Sequence, residues 1–209
     1  MARTTAAPRE ITSSPLRTVR PVMLRDRYAD PEKELVRMAR AGTLVRIARG
    51  TYTAKPDDIA RDAPWRPGFE EAAMAYATAQ YGHRVPVLAG IGAARFHHAI
   101  PRAIGATVVA VPEQHRPVTL TSGGRIVFFT TDVLKLEARL ERGSLGPFLV
   151  TTPEQTLLDL LARPKLGGMP AEAAAACRAL AATVDHAHAR ALGARRPKTL
   201  QAKLEAALG

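Results

Sequence analysis

The chain has one cysteine, Cys177, among its 209 residues. A lone thiol can neither form an internal disulfide nor supply a cysteine-based zinc site. No apolar run reaches the roughly 18 residues that a membrane-spanning helix needs, and residues 1–15 lack the apolar segment of a secretory signal. Hydrophobic residues make up 46% of the chain, which is enough for a folded core. We therefore expect a globular cytoplasmic protein that does not contact membranes.

The sequence also lacks the short motifs of the common enzyme classes. It contains no Walker A loop, no Gly-x-Gly-x-x-Gly, no Gly-x-Ser-x-Gly and no His-Glu-x-x-His. Candidate metal ligands are equally sparse. His97 and His98 are adjacent and would point in different directions on a helix, and the pair His186 and His188 has no acidic or cysteine partner at ligand spacing. We expect neither a metal nor a cofactor.

Positive charge is abundant and unevenly distributed in this chain, whose net charge is +11. Residues 1–55 carry 12 Lys and Arg against 5 Asp and Glu, whereas residues 56–184 carry 13 against 12. A basic N-terminal quarter ahead of a nearly neutral body indicates an anionic partner bound at one end, and DNA is the commonest such partner. RNA is a weaker alternative, because only Tyr28 and Tyr52 lie among the basic residues as stacking platforms.

The segment from Asp30 to Ala54 predicts the DNA-binding element. Asp30 followed by Pro31 is a helix start, and a Gly-Thr pair ends that helix. Alternating residues on both sides of Arg49-Gly50 predict a two-stranded hairpin. A basic helix followed by a basic hairpin is typical of a winged helix-turn-helix, which we place in residues 1–55.

Seven basic residues are candidates for DNA contacts. Cations at i, i+4 and i+7 share one face of the predicted helix, where arginine can donate two hydrogen bonds to guanine in the major groove. The hairpin cations would reach phosphate or the minor groove, and cations ahead of the helix would position the unit on the DNA backbone. In that order the three groups are Lys33, Arg37 and Arg40; Arg46 and Arg49; and Arg25 and Arg27. The alternative is a solvated basic face that binds nothing.

The rest of the chain predicts a linker over residues 56–67 and an α+β domain over residues 68–209, because helices and strands are mixed there without strict β-α-β alternation. A capping box from Thr152 to Gln155 starts a central helix that runs to 162. The other predicted helices of this domain are 69–81, 90–98, 135–142, 170–184 and 197–208, and the predicted strands are 85–88, 107–111, 118–120, 125–130 and 148–150. Ahead of the DNA-binding helix we expect a flexible arm over residues 1–14, a helix opening at Leu16 and a second short helix over 22–28.

Four segments together carry a family resemblance. They are LVRMARAGTLVRIARGTYT (35–53), LAGIGAARFHHAIP (88–101), RIVFFTTD (125–132) and LVTTPEQTLLDLLARPKLGGMP (149–170). In this order and spacing they resemble the AbiEi-type antitoxins of bacterial AbiE toxin–antitoxin operons. The first looks like that family's helix and wing with its Arg-Gly-aliphatic-Tyr motif, here Arg49-Gly50-Thr51-Tyr52. The resemblance covers about residues 22–184, and it departs from the family at Gln155, where members often have Arg.

The resemblance implies a specific function. Such antitoxins have an N-terminal winged helix that represses their own operon by binding operator DNA, and a C-terminal domain for antitoxin action and self-association. The cognate toxin resembles a nucleotidyltransferase. A homodimer on an inverted repeat would fit one DNA-binding unit per chain.

Two alternatives to this function remain open. An antitoxin could inactivate its toxin as an atypical serine/threonine kinase, with ATP and magnesium as cofactors. A glycine loop at a helix start can hold phosphate, and the candidate residues are Asp159, Lys165, Gly167 and Gly168. The structural alternative for these residues is a helix-breaking loop beside a core helix. The second functional alternative is a plain winged-helix transcriptional regulator.

Overall fold

A computed structural model describes residues 6–60 and 63–209 of the chain. The architecture of these residues is mixed α+β, as predicted, with its strands in two separate sheets. No helix in the described ranges is long and apolar enough to cross a membrane.

Residues 9–54 form an N-terminal unit around a three-stranded sheet. Its helices are α1 (Arg9–Thr12) and α2 (Pro31–Arg40), and its strands are β1 (Thr18–Val19), β2 (Leu44–Ala48) and β3 (Thr51–Ala54). Two 3-10 turns, Pro15–Arg17 and Pro21–Leu24, flank β1. The strands are antiparallel in the order β1-β3-β2, so β3 is central. Gly50, with φ of +66°, makes the predicted turn between β2 and β3.

The α2 helix forms as its sequence predicts. The Asp30 carboxylate accepts a 3.0 Å hydrogen bond from the Lys33 backbone N–H, which caps the first turn. Leu35 and Met38 are buried and pack into a small core with Tyr52. Burial of this face leaves the opposite face of the helix in solvent.

The segments ahead of α2 differ from expectation. The helices predicted from Leu16 and over 22–28 are only single 3-10 turns. The first segment does not continue as a helix because Leu16 and Arg17 have positive φ angles of 50° and 51°. The predicted flexible arm falls partly on residues 1–5, which lie outside the described residues. Its later part contains α1, whose Ile11 is fully buried in the core of the unit.

The second unit, residues 69–208, is built on a six-stranded mixed sheet in the order β6-β7-β5-β4-β9-β8. The pairs β5–β7 and β4–β9 are parallel, and the remaining pairs are antiparallel. The strands are β4 (Val87–Ala89), β5 (Ala106–Val111), β6 (Val118–Thr119), β7 (Arg125–Thr130), β8 (Ala138–Gly143) and β9 (Gly146–Thr151). The helices are α3 (Phe69–Tyr81), α4 (Gly90–Phe96), α5 (Pro153–Ala162), α6 (Pro170–Ala181), α7 (His186–Gly193) and α8 (Lys198–Leu208).

The sheet separates two apolar cores. Val108 and Ala110 of β5 point to the core that contains residues of α4 to α8, whereas Val109 and Val111 point to the core that contains α3. This alternation is the period of two that a strand buried on both faces requires. The continuous apolar run of β5 therefore reflects a central strand covered by helices on each side.

The N-terminal unit packs on α3. Leu16, Ile47 and Ala48 are buried in the same core as the alanines of α3. The backbone N–H of Thr121, just after β6, donates a 2.8 Å hydrogen bond to the Ile47 carbonyl. The hairpin β2–β3 is therefore held by both units.

One predicted helix of the second unit is wrong. Residues 135–142 suggest a helix because Leu136 and Leu140 are one helical turn apart among residues of high helix propensity. They form instead the end of a 3-10 turn, Val133–Lys135, and most of the strand β8. Pairing with β9 along its whole length overrides the local propensity. The short helix α7 was not predicted, and the other predicted elements are confirmed with ends shifted by a few residues.

Candidate nucleic-acid interface

The outer face of α2 presents the three cations predicted for it. Lys33, Arg37 and Arg40 are all exposed. Together with Tyr28 they line one shallow groove along the helix. The 3.6-residue period of the helix therefore brings these three side chains to one surface.

Glu34 holds Arg37 one turn away on the same helix. Arg37 Nε donates a 2.9 Å hydrogen bond to Glu34 Oε2, and Arg37 Nη2 donates to Oε1. This hydrogen bonding lowers the pKa of Glu34 and raises that of Arg37. Because the Arg37 side chain is 68% exposed, the pair adds little to stability, and the guanidinium can exchange the carboxylate for a phosphate or a base.

The hairpin presents its two predicted cations, Arg46 and Arg49, in solvent. Arg46 Nε donates a 3.3 Å hydrogen bond to the Ala48 carbonyl near the turn. Ile47 lies between these exposed arginines and is buried against the second unit. Arg46 and Arg49 therefore project into solvent from a hairpin that the second unit holds in place through Ile47.

Arg25 and Arg27 are exposed in the segment that leads into α2. Tyr28 Oη donates a 2.7 Å hydrogen bond to the Glu10 carboxylate, which ties this segment to α1. That bond is the main cause of a lowered pKa at Glu10, with a smaller contribution from Arg27. Burial, followed by the bond to Glu10, raises the pKa of Tyr28 to about 12. The segment is thus anchored beside its two free arginines.

A basic groove lies beside the hairpin and was not predicted from the sequence. Arg46 lines it together with Lys55, Trp65 and Arg66, the last two from the segment between the units. An aromatic side chain next to cations is a pattern that binds nucleic acid by stacking and charge. Trp65-Arg66, set between two prolines, is the sequence signal that could have indicated this groove.

Of the four residues of the predicted phosphate site, Lys165, Gly167 and Gly168 do not line the cavity that Asp159 lines. That cavity has a volume of about 300 Å³ and lies between α5 and the start of α8. Gly167 packs so closely on α4 that a Cβ there would overlap Ile91 Cδ1. This close approach and a φ of +91° together account for the glycine without a bound phosphate.

Asp159 is a buried carboxyl with one free oxygen. Its Oδ1 accepts a 2.8 Å hydrogen bond from Gln155 Nε2, and its Oδ2 is buried without a hydrogen-bond partner. Burial raises the pKa of Asp159 from 3.8 to about 6, although Gln155, Arg163 and Arg196 act in the opposite direction. Near neutral pH the fold therefore holds an unfavourable buried charge.

Three of the four candidate metal-binding histidines have other partners, and His186 Nε2 lies 2.8 Å from the Ala181 carbonyl oxygen. His188 Nε2 lies 2.9 Å from both Glu137 carboxylate oxygens, and this hydrogen bonding raises the His188 pKa. His97 Nε2 lies 2.7 Å from the Thr151 carbonyl oxygen. In the part of the chain that the structure describes, no group of three or more His, Cys, Asp or Glu side chains could hold a metal ion.

Comparison with known proteins shows that the fold of this chain is similar to that of a solved structure. No family model matches the sequence, and no curated protein matches it either. The chain is similar to the crystal structure of the RV2827C protein from Mycobacterium tuberculosis, with a TM-score of 0.60 and 20% sequence identity. The similarity covers 95% of this chain and 75% of that chain. At this identity the likeness concerns the fold alone.

Proposed function

We propose that this chain is the antitoxin of a bacterial toxin–antitoxin operon and that it represses the operon by binding its operator DNA. The observation that carries the proposal is the outer face of α2. There Lys33, Arg37 and Arg40 lie exposed around one groove, and a hairpin with two further exposed arginines follows directly in the chain.

The order of elements supports a winged helix-turn-helix for the DNA-binding unit. The 3-10 turn Pro21–Leu24 precedes α2, the hairpin β2–β3 follows it, and β1 completes the sheet. In such a unit α2 enters the major groove, where Arg37 and Arg40 can each donate two hydrogen bonds to a guanine. The hairpin acts as the wing and brings Arg46 and Arg49 to phosphate or to the minor groove.

Charge supports a division of labour between the two units. The seven DNA-contact candidates all lie in residues 25–49, whereas residues 56–184 carry nearly balanced charge. A nearly neutral surface suits a protein partner better than a polyanion. We therefore assign the second unit to a nucleotidyltransferase-like toxin, an assignment that rests on the resemblance of residues 22–184 to AbiEi-type antitoxins.

Two assays with the full chain test the two halves of this function. Co-expression with the toxin gene of the same operon should restore growth. The purified chain should bind the operon's promoter with a Kd of about 10 nM or lower and unrelated DNA roughly a thousandfold more weakly. Absence of rescue rejects the antitoxin, and equal affinity for both DNAs rejects operator recognition. Operator binding without rescue favours the plain regulator.

An assay with the purified chain and its toxin distinguishes neutralisation by binding from neutralisation by phosphorylation. Incubation with labelled ATP and magnesium should leave the toxin unlabelled, because Lys165, Gly167 and Gly168 do not line the cavity that Asp159 lines. Label transferred to the toxin by the wild-type chain, and lost in the Asp159→Ala variant, would favour the kinase alternative instead.

A further inference from the structure

The strand β8 is the open edge of the six-stranded sheet. It is outermost in the strand order, next to β9. Its register with β9 is unbroken over six residues, and its sequence, ARLERG, contains no proline. Proline and bulges are common devices that prevent an edge strand from pairing further. The other edge of this sheet, β6, has only two residues. β8 is therefore the long edge that can accept another strand.

The direction of the backbone groups on β8 follows from its bonds to β9. The Thr152 N–H donates a 3.0 Å hydrogen bond to the Glu137 carbonyl, so Glu137 directs its backbone groups toward β9. These directions alternate along an antiparallel strand. Arg139 and Glu141 therefore also pair with β9, and Leu140, between them, directs its N–H and C=O away from the sheet.

The side chains around this outward-facing residue carry opposite charges. Leu140 is 46% exposed. Arg139 and Glu141 flank it and share the other face of the strand. Neither forms an ion pair within the described ranges. Burial opposes the lowered pKa of Glu137, which results mainly from hydrogen bonds with His188 and Thr152, and the charge of Arg139 acts in the same direction as those bonds. Along the edge, therefore, a positive side chain (Arg139), an apolar one (Leu140) and a negative one (Glu141) follow each other.

We propose that β8 pairs with β8 of a second copy of this chain, antiparallel and centred on Leu140. In this register Leu140 lies opposite the partner's Leu140, and the two residues exchange both backbone hydrogen bonds. Arg139 then lies opposite the partner's Glu141, and Glu141 lies opposite the partner's Arg139. These are non-hydrogen-bonded positions, where the Cβ atoms of a pair are closest, about 4.5 Å apart.

We choose a second copy of this chain as the partner because β8 is complementary to another β8 strand that runs in the opposite direction. An antiparallel partner strand must present negative, apolar, positive to match β8, and β8 run in the opposite direction presents that order. The resulting contact is isologous and closed, so it gives a dimer rather than a fibre. This inference is independent of the proposed function, although such a dimer would place two DNA-binding units on one operator.

Charge reversal on the full chain without DNA tests the proposal. Sedimentation equilibrium should show a reversible dimer of the wild type in the micromolar range. Arg139→Glu and Glu141→Arg each place two like-charge pairs across the edge, and each should weaken self-association about tenfold. An equimolar mixture of the two variants restores both opposite-charge pairs and should form a heterodimer with wild-type affinity.

Several results would overturn the proposal. They are a monomeric wild type at high micromolar concentration, single variants that associate like the wild type, or a mixture that stays as weakly associated as its components. Arg195→Glu, at an exposed position outside the strand, is the matched control and should associate like the wild type. Thermal unfolding should be unchanged in all variants because Arg139 and Arg195 are exposed and Glu141 is partly exposed. Operator affinity is measured separately, so failure of the dimer leaves the proposed function standing.

Discussion

The Gln155 side chain connects Asp159 to Arg196. Its Nε2 donates a 2.8 Å hydrogen bond to Asp159 Oδ1, and its Oε1 accepts a 3.2 Å hydrogen bond from Arg196 Nη2. Gln155 therefore separates the buried carboxyl from the cation that could have neutralised it. Since Asp159 Oδ2 has no hydrogen-bond partner, protonation of this carboxyl is linked to the stability of the second unit.

Asp159→Asn should stabilise the protein above about pH 6. The folded-state pKa, about 6, lies above the usual 3.8, so the folded state binds the proton more tightly than the unfolded state. The resulting stability is present below pH 3.8 and is lost as the pH rises through 6. The loss is on the order of 2 to 3 kcal/mol. Urea unfolding at about pH 5 and pH 7.5 should show that the free energy of unfolding of the variant exceeds that of the wild type by more at the higher pH. The control variant Asp58→Asn, at an exposed position, should show no such increase. A gain that is equal at both pH values would contradict the linkage.

Glu34→Gln should raise operator affinity by about threefold to tenfold. The substitution removes a negative charge from the face of α2 and releases Arg37 from its carboxylate partner, so the guanidinium can contact DNA without first breaking an ion pair. Fluorescence anisotropy with the promoter fragment measures the change. Glu205→Gln is the matched control, because Glu205 holds Arg190 in a similar exposed pair at 3.0 Å on the second unit. If both variants bind like the wild type, α2 does not face the DNA.

Gly167→Ala should destabilise the protein by roughly 3 kcal/mol or more, because it combines strain with overlap. Gly167 has a φ of +91°, and an added Cβ would overlap Ile91 in the core. Gly123→Ala provides the control for strain alone, since its φ is +93° and its surroundings are open, and it should cost about 1 kcal/mol. Chemical denaturation measures both. Equal costs would show that close packing is not the reason for the glycine at 167.

The helices that carry explicit start signals were predictable from sequence. Thr152 accepts a 3.2 Å hydrogen bond from the Gln155 N–H at the start of α5, and Asp30 caps α2 in the same way. Each cap uses only residues three positions apart, so local sequence is sufficient to specify it. The basic face of α2 was predictable for the same reason, because helical periodicity fixes which side chains share a surface.

Features that depend on distant partners were not predictable. β8 has the composition of a helix and becomes a strand because β9 lies beside it. The groove beside the hairpin joins Arg46 to Trp65 and Arg66, which are far apart in sequence, so the Trp-Arg pair signals a basic aromatic segment but does not show that it lies beside Arg46.

We propose that α2 binds the operator while the second unit neutralises the toxin. The most direct measurement compares the wild type with the triple variant Lys33→Ala, Arg37→Ala, Arg40→Ala in the same two assays. These side chains are exposed, so the variant should fold normally. We expect operator affinity to fall at least a hundredfold, because each hydrogen-bonded side chain on a base contributes about 1 to 3 kcal/mol, while rescue from the toxin stays complete. A variant that keeps wild-type operator affinity, or that loses rescue and operator binding together while still folded, would contradict this division.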